Sequence, residues 1–301
     1  MKARRILILG ASYGSLLGVK LALAGHGVKL VCLPAEAALI NSKGAIVRLP
    51  VKGQAAPVEV NSRTLPGRLD ADGPGAVEPS DYDLVALAMQ EPQYGSRGVR
   101  ELLDSVAGSH VPCMSIMNMP PLPYLERIPG LDAKACRNCY TEASVWDGFD
   151  SRFMTLCSPD PQAFRPPEEE VNVLQVRLPT NFKAARFESD AHTAMLRELA
   201  ADIEAARFDA GGAKIELPVK LKVHDSVFVP LAKWAMLIAG NYRCVQADAM
   251  RPIKDAVHAD IEASRSIYEW VVGLCMSLGA DRTDMVPFEK YANAALSLGS
   301  P

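Results

Sequence analysis

Ile6-Leu7-Ile8-Leu9 is an unbroken apolar run that stops at Gly10, and nothing else in the chain constrains the fold as much. A run so short and so apolar reads as a strand buried on both faces, which belongs in a parallel sheet. The turn Gly10-Ala11-Ser12-Tyr13-Gly14-Ser15 follows, and Leu16, Leu17, Val19, Leu21 and Leu23 then place apolar side chains around much of a helix. Gly25 and Gly27 stand where that helix must stop, and Val28 to Leu33 reads as a second buried strand. Strand, turn, helix and strand within about 28 residues make a βαβ unit, the seed of a parallel sheet.

The alternation continues. Asp83 to Ala88 reads as a strand; Val99, Leu102, Leu103 and Val106 lie on one face of a helix; Val111 to Met117 is a strand ending at Asn118. Residues 140–182, rich in β-formers, Pro and Asp, read as late strands and long loops. Met195, Leu196, Leu199 and Ile203 form an amphipathic helix near 190–208, and Asp209 to Gly212 is a turn or hinge. After that the signals are helical: 226–240, 252–278 and 286–296. The expected architecture is α/β, a Rossmann-type dinucleotide-binding domain over 1–215 followed by an all-helical domain over 216–301.

Composition removes other classes. With 32 Lys and Arg against 35 Asp and Glu, the net charge is −3, without the basic surplus of a nucleic-acid binder. No apolar run reaches the roughly 18 residues of a membrane span. Lys2, Arg4 and Arg5 before an apolar run imitate a signal peptide, but Gly10, Ser12, Gly14 and Ser15 break that run. Seven cysteines, an odd number, suit reduced cytoplasmic thiols. Cys136-x-x-Cys139 has no second pair or nearby His to complete a zinc site. The expected partners are a small-molecule substrate and a second copy of the chain in a homodimer, with neither nucleic acid nor membrane.

Gly10 to Ser15 lies where a dinucleotide site needs glycine, because the backbone must approach a pyrophosphate at a helix N-terminus. The GxGxxG fingerprint is not met: Ser12 takes its second glycine position, and Gly14 comes one residue early for the third. A tight turn with no ligand is the plainer alternative.

Four segments together resemble the ketopantoate reductase (2-dehydropantoate 2-reductase) family. Ile6 to Gly27, ending Leu23-Ala24-Gly25-His26-Gly27, is similar to its opening strand, turn and helix, with one residue deleted. Asp83 to Gln90 lies where the family has a strand and a nucleotide-contacting Lys, here Met89 or Gln90. Ser115 to Asn118 resembles the strand ending in an Asn beside the nicotinamide. Leu231 to Asn241 resembles the segment carrying the catalytic Lys. The family spaces Lys, Asn and Asn at four-residue steps; here Lys233 and Asn241 flank Leu237, and its C-terminal Ser and Glu have no clear counterpart. The resemblance implies NADP held by Gly10, Ala11, Ser12, Tyr13, Gly14, Ser15, Met89 and Asn118. It also implies a 2-keto acid held by Asn118 and Asn241 and reduced with the help of Lys233.

The residue chemistry agrees. A Lys beside an apolar helix face titrates lower than usual and can protonate the alkoxide formed as hydride arrives; a Lys snorkelling from the helix edge is the alternative. On one continuous helix, Asn241 would stand two turns beyond Lys233, offset by about 80°, or it caps the helix. Asn118 could equally be a turn former. At the end of the second strand, Val31-Cys32-Leu33 presents no acid against a 2′-phosphate, and Pro34 is expected to turn Glu36 to solvent. Lys43 and Arg48 reach that position only if the chain folds back. An opine-dehydrogenase-like reductase and a dinucleotide-binding protein without catalysis are the other readings.

Overall fold

The computed structural model describes residues 2–299. β1 (Arg5–Leu9) is the expected first strand, and Ile6 to Leu9 are inaccessible to solvent. α1 (Tyr13–Leu23) and β2 (Gly27–Val31) complete the βαβ unit. Then come α2 (Pro34–Lys43), β3 (Ile46–Leu49), β4 (Val58–Asn61), β5 (Leu69–Asp72) and β6 (Leu84–Leu87). α3 (Val99–Ser109), β7 (Cys113–Ile116), α4 (Leu122–Leu125) and β8 (Met154–Ser158) follow. β9 (Gln162–Phe164), β10 (Val173–Leu178), β11 (Phe182–Ala185) and α5 (Asp190–Ala205) come next. The hairpin β12 (Phe208–Asp209) and β13 (Lys214–Ile215) holds the turn expected at 209–212, and β14 (Leu221–His224) ends the α/β part.

One sheet has the order β14-β11-β8-β7-β6-β1-β2-β5. From β5 to β8 every neighbouring pair is parallel; β11 is antiparallel to β8, and β14 parallel to β11. This is the doubly wound arrangement, in which the chain builds outwards in both directions from β1. A second sheet, β4-β3-β10-β9, was not foreseen. Along β3, Val47 and Leu49 point inward and Arg48 outward, too short a pattern to read in sequence. The two sheets and α1 share one core: α1 is buried from Gly14 to Leu23, and Val47, Leu49, Val60, Leu174 and Val176 belong to the same cluster. That explains a helix apolar almost all round, since it has no solvated face.

The chain divides into two compact units, one running to Arg127 and resuming over Asp132–His224, the other combining Ile128–Leu131 with the chain from Asp225. The boundary expected at 215 therefore lies at His224, because β14 is a strand of the large sheet. In the second unit, the single helix expected at 226–240 is a 3-10 turn, Val229–Ala232, leading into α6 (Lys233–Ala239). The one expected over 252–278 is two, α7 (Ile253–His258) and α8 (Ile261–Ser277). Asp260 separates them and caps α8, its carboxylate accepting from the Ala263 N–H at 2.9 Å. α9 (Phe288–Ala295) closes the unit, with Tyr268 stacked on Tyr291 and edge-on to Phe288, both at 5.4 Å.

Candidate functional site

In a doubly wound sheet, ligands bind outside the carboxyl ends of the strands, where the strand order reverses. Here that place lies between β1 and β6. The Ala88 N–H donates to the Leu9 carbonyl at 2.8 Å, and the Gly10 N–H to the Val31 carbonyl at 2.8 Å, tying the glycine turn to both neighbouring strands. Gly10 has φ +99°, and a Cβ there would stand 2.6 Å from the Ala88 carbonyl oxygen and 2.6 Å from Met89 Cγ. Only glycine satisfies that conformation and that approach together. Gly14 serves packing instead, because a Cβ there would meet Ile8 Cγ2 at 2.9 Å, so its absence lets α1 lie close on β1. This is the packing role of the last fingerprint glycine.

α1 begins without a side-chain cap, although Ser12 occupies the N-cap position. The N–H groups of Tyr13 and Gly14 have no intrahelical acceptor by geometry, and they carry the positive end of the helix dipole. Ser15 turns inward, its hydroxyl donating to the Ala11 carbonyl at 2.5 Å. Tyr13 leans away along α1's first turn and donates its phenol to the Pro161 carbonyl at 2.9 Å. The turn thus presents two N–H donors and the Ser12 hydroxyl beside a glycine, a donor set suited to an anionic pyrophosphate.

Met89 lies two residues past β6. Its N–H donates to Tyr94 Oη at 3.0 Å, and Tyr94 is fully buried with its ring edge-on to Trp146 at 5.5 Å. Sequence reasoning missed Tyr94, which fixes the backbone beside Gly10 without any motif to announce it. Asn118 lies two residues past β7, exposed and on the same carboxyl edge. The first unit therefore assembles Gly10 to Ser15, Met89 and Asn118 along one sheet edge.

At the end of β2 the expectation fails. Pro34 starts α2, and Glu36 is turned inward, 7% exposed and ion-paired with Arg165. Burial pushes the Glu36 carboxyl up, and the Arg165 guanidinium opposes that. Burial likewise pushes the Cys32 thiol up to about 12, with Glu36 adding to it. Lys43 and Arg48 do not fold back: Lys43 pairs with Glu170 at 2.5 Å, and Arg48 with Glu59 at 3.0 Å and Glu169 at 2.6 Å.

Lys233 and Asn241 belong to the second unit. Lys233 is half-buried at the start of α6. α6 stops at Gly240, whose φ of −126° and ψ of −76° leave the helix, and Asn241 opens a separate 3-10 turn. The two-turn geometry expected for a continuous helix therefore does not apply, nor does Asn241 cap α6. The deeply buried lysine is another, Lys20 of α1, 2% exposed, donating to the Leu217 and Pro218 carbonyls at 2.9 and 3.0 Å. Burial lowers it to about 8. Among the described residues no His, Cys, Asp or Glu cluster could hold a metal ion, and no helix is long and apolar enough to cross a membrane.

No protein-family model matches the chain, and no curated protein does. Solved structures do. A 2-dehydropantoate 2-reductase from Methylococcus capsulatus superposes with a TM-score of 0.62 at 13% identity, over 97% of this chain and 79% of that one. The chain has the ketopantoate reductase fold. A ketopantoate reductase from Ralstonia eutropha JMP134 gives a TM-score of 0.56 at 15% identity, over 97% of this chain and 78% of the other. D-mandelate dehydrogenase, solved with NADH and anilino(oxo)acetate, gives 0.57 at 12% identity, over 97% of this chain and 79% of the other.

Proposed function

We propose that the protein is a reductase that binds a nicotinamide dinucleotide, NADP in preference to NAD, and reduces a small 2-keto acid such as 2-dehydropantoate. The observation that carries this reading is the contact of Gly10 with Ala88 at the reversal of strand order, beside an α1 that no side chain caps. The N–H groups of Tyr13 and Gly14 and the Ser12 hydroxyl hold the pyrophosphate, with the helix dipole favouring its charge. Asn118, on the same edge, orients the nicotinamide end. The bound reduced dinucleotide supplies the hydride. Lys233 Nζ gives a proton to the substrate oxygen as negative charge builds on it, and Asn241 hydrogen-bonds the substrate.

Fold neighbours support the substrate class at the level of their own ligands, NADH and an oxo-carboxylate in D-mandelate dehydrogenase. One feature favours binding without turnover: Met89, an apolar side chain against Gly10, stands in the loop where the family carries its Lys. Loss of NADPH absorbance across a panel of 2-keto acids tests the proposal. Oxidation dependent on at least one of them supports a reductase. Tight NADPH binding with no oxidation across the panel would favour the non-catalytic reading.

A further inference from the structure

The end of the second strand is where a Rossmann-type site discriminates NAD from NADP: an acid there binds the ribose hydroxyls, and a basic side chain accepts the 2′-phosphate. In this chain neither follows β2 directly. The structure brings both by another route. Glu36 comes from the first turn of α2, and Arg165 arrives from the connection between β9 and β10 in the second sheet, far away in sequence.

Three observations define the place. Glu36 is almost wholly buried, and Arg165 neutralises it, removing the repulsion an acid at this edge would exert on a phosphate. Arg165 commits Nη2 to Glu36 Oε1, and this is the one hydrogen bond it makes among the described residues. A guanidinium has five N–H donors in a planar fork, so most remain available, and a third of the side chain is exposed. Leu33, between β2 and α2, is 74% exposed, leaving an apolar surface on the edge where a nucleoside lies in such folds.

We infer that Arg165, held in place by Glu36, is the ligand of the 2′-phosphate and sets the preference for NADP. This rests on the dinucleotide reading above. Glu36 acts as a positioning residue: it fixes one edge of the guanidinium, and the other edge faces the ligand. The chain thereby reads its cofactor with a residue from the connection between two strands of the second sheet, and neither Lys43 nor Arg48 is needed.

The test compares adenosine 2′,5′-bisphosphate with 5′-AMP, which differ by the 2′-phosphate alone, in calorimetric titrations of the full chain. The wild type should bind the bisphosphate at least tenfold tighter. In Arg165→Met combined with Glu36→Gln, which leaves no buried charge unpaired, the ratio should fall to near one while 5′-AMP affinity stays within twofold. Glu36→Gln alone should keep a preference, with looser binding. Arg165→Lys, which preserves the ion pair and guards against a double variant that does not fold, should lose at least threefold of the preference, because one ammonium cannot serve both partners as a fork does. An unchanged ratio in the double variant or in Arg165→Lys, or a wild type that prefers 5′-AMP, overturns the inference and leaves dinucleotide binding standing. A wild type that binds neither probe and neither NADPH nor NADH overturns the dinucleotide reading itself, and the inference with it.

Discussion

Lys20 makes the stability of the first unit depend on pH in a direction opposite to most lysines. Its ordinary value is 10.5, and burial in α1 lowers it to about 8, with the nearby Lys220 and Arg207 charges adding and Glu216 opposing. The folded state therefore releases this proton before the unfolded state does. Between about pH 8 and pH 10.5 the unfolded chain binds more protons at this site, so stability rises with pH across that window and levels off above it. Integrating between the two values, the gain from pH 7 to pH 10 is about 2–3 kcal/mol. Lys20→Met removes the titration and keeps most of the volume. It also leaves the Leu217 and Pro218 carbonyls without their donor, a cost of about 1–3 kcal/mol that does not vary with pH. Val219, the next residue, sits at φ +66°, so this loop is already held in a conformation a β-branched residue seldom adopts. Urea unfolding of both proteins at pH steps from 7 to 10 measures the difference. Its pH slope carries the information: wild type should gain on the variant by about 2–3 kcal/mol. A flat difference would mean that Lys20 titrates normally and that the two carbonyls and local water offset its burial.

Lys233→Ala should lower turnover by a factor of about 10² on whichever 2-keto acid proves to be a substrate, the scale of a general acid, in a variant checked to fold by circular dichroism; full turnover would assign Lys233 to the helix edge. Gly10→Ala should destabilise the fold by about 2 kcal/mol or more, from the positive φ and from a Cβ placed 2.6 Å from the Ala88 carbonyl oxygen. An unchanged midpoint would show that the turn relaxes. Tyr94→Phe removes the acceptor of the Met89 N–H and should cost about 1–3 kcal/mol, read in the same unfolding experiment.

The parallel sheet was legible because both-faces-buried strands leave continuous apolar runs, as at Ile6 to Leu9 and Leu84 to Leu87. The second sheet was not, because β3 and β4 are four-residue strands with one partly exposed face, and β10, the other neighbour of β3, lies over a hundred residues away. Gly10 was readable as a turn residue, but its contact with Ala88 depends on β6 pairing with β1, a register that a single sequence does not encode locally. Glu36 was misplaced for a related reason. Pro34 reads equally as a turn former and as the first residue of a helix, and only the long-range partner Arg165 decides which way the carboxylate faces. Gly240 closes the apolar run Trp234 to Ala239, where the helix expected over 226–240 ends, but the short 3-10 turn that follows at Asn241 has no periodicity to announce it.

Amide hydrogen exchange of the full chain, with and without saturating NADPH, tests the central claim that a nicotinamide dinucleotide lies across the reversal of strand order. Protection should concentrate in peptides spanning Gly10 to Ser15 and Ala88 to Gln90, since those backbones would meet the pyrophosphate. Protection confined to other segments, or none at a saturating concentration, would contradict the assignment of this edge as the cofactor site.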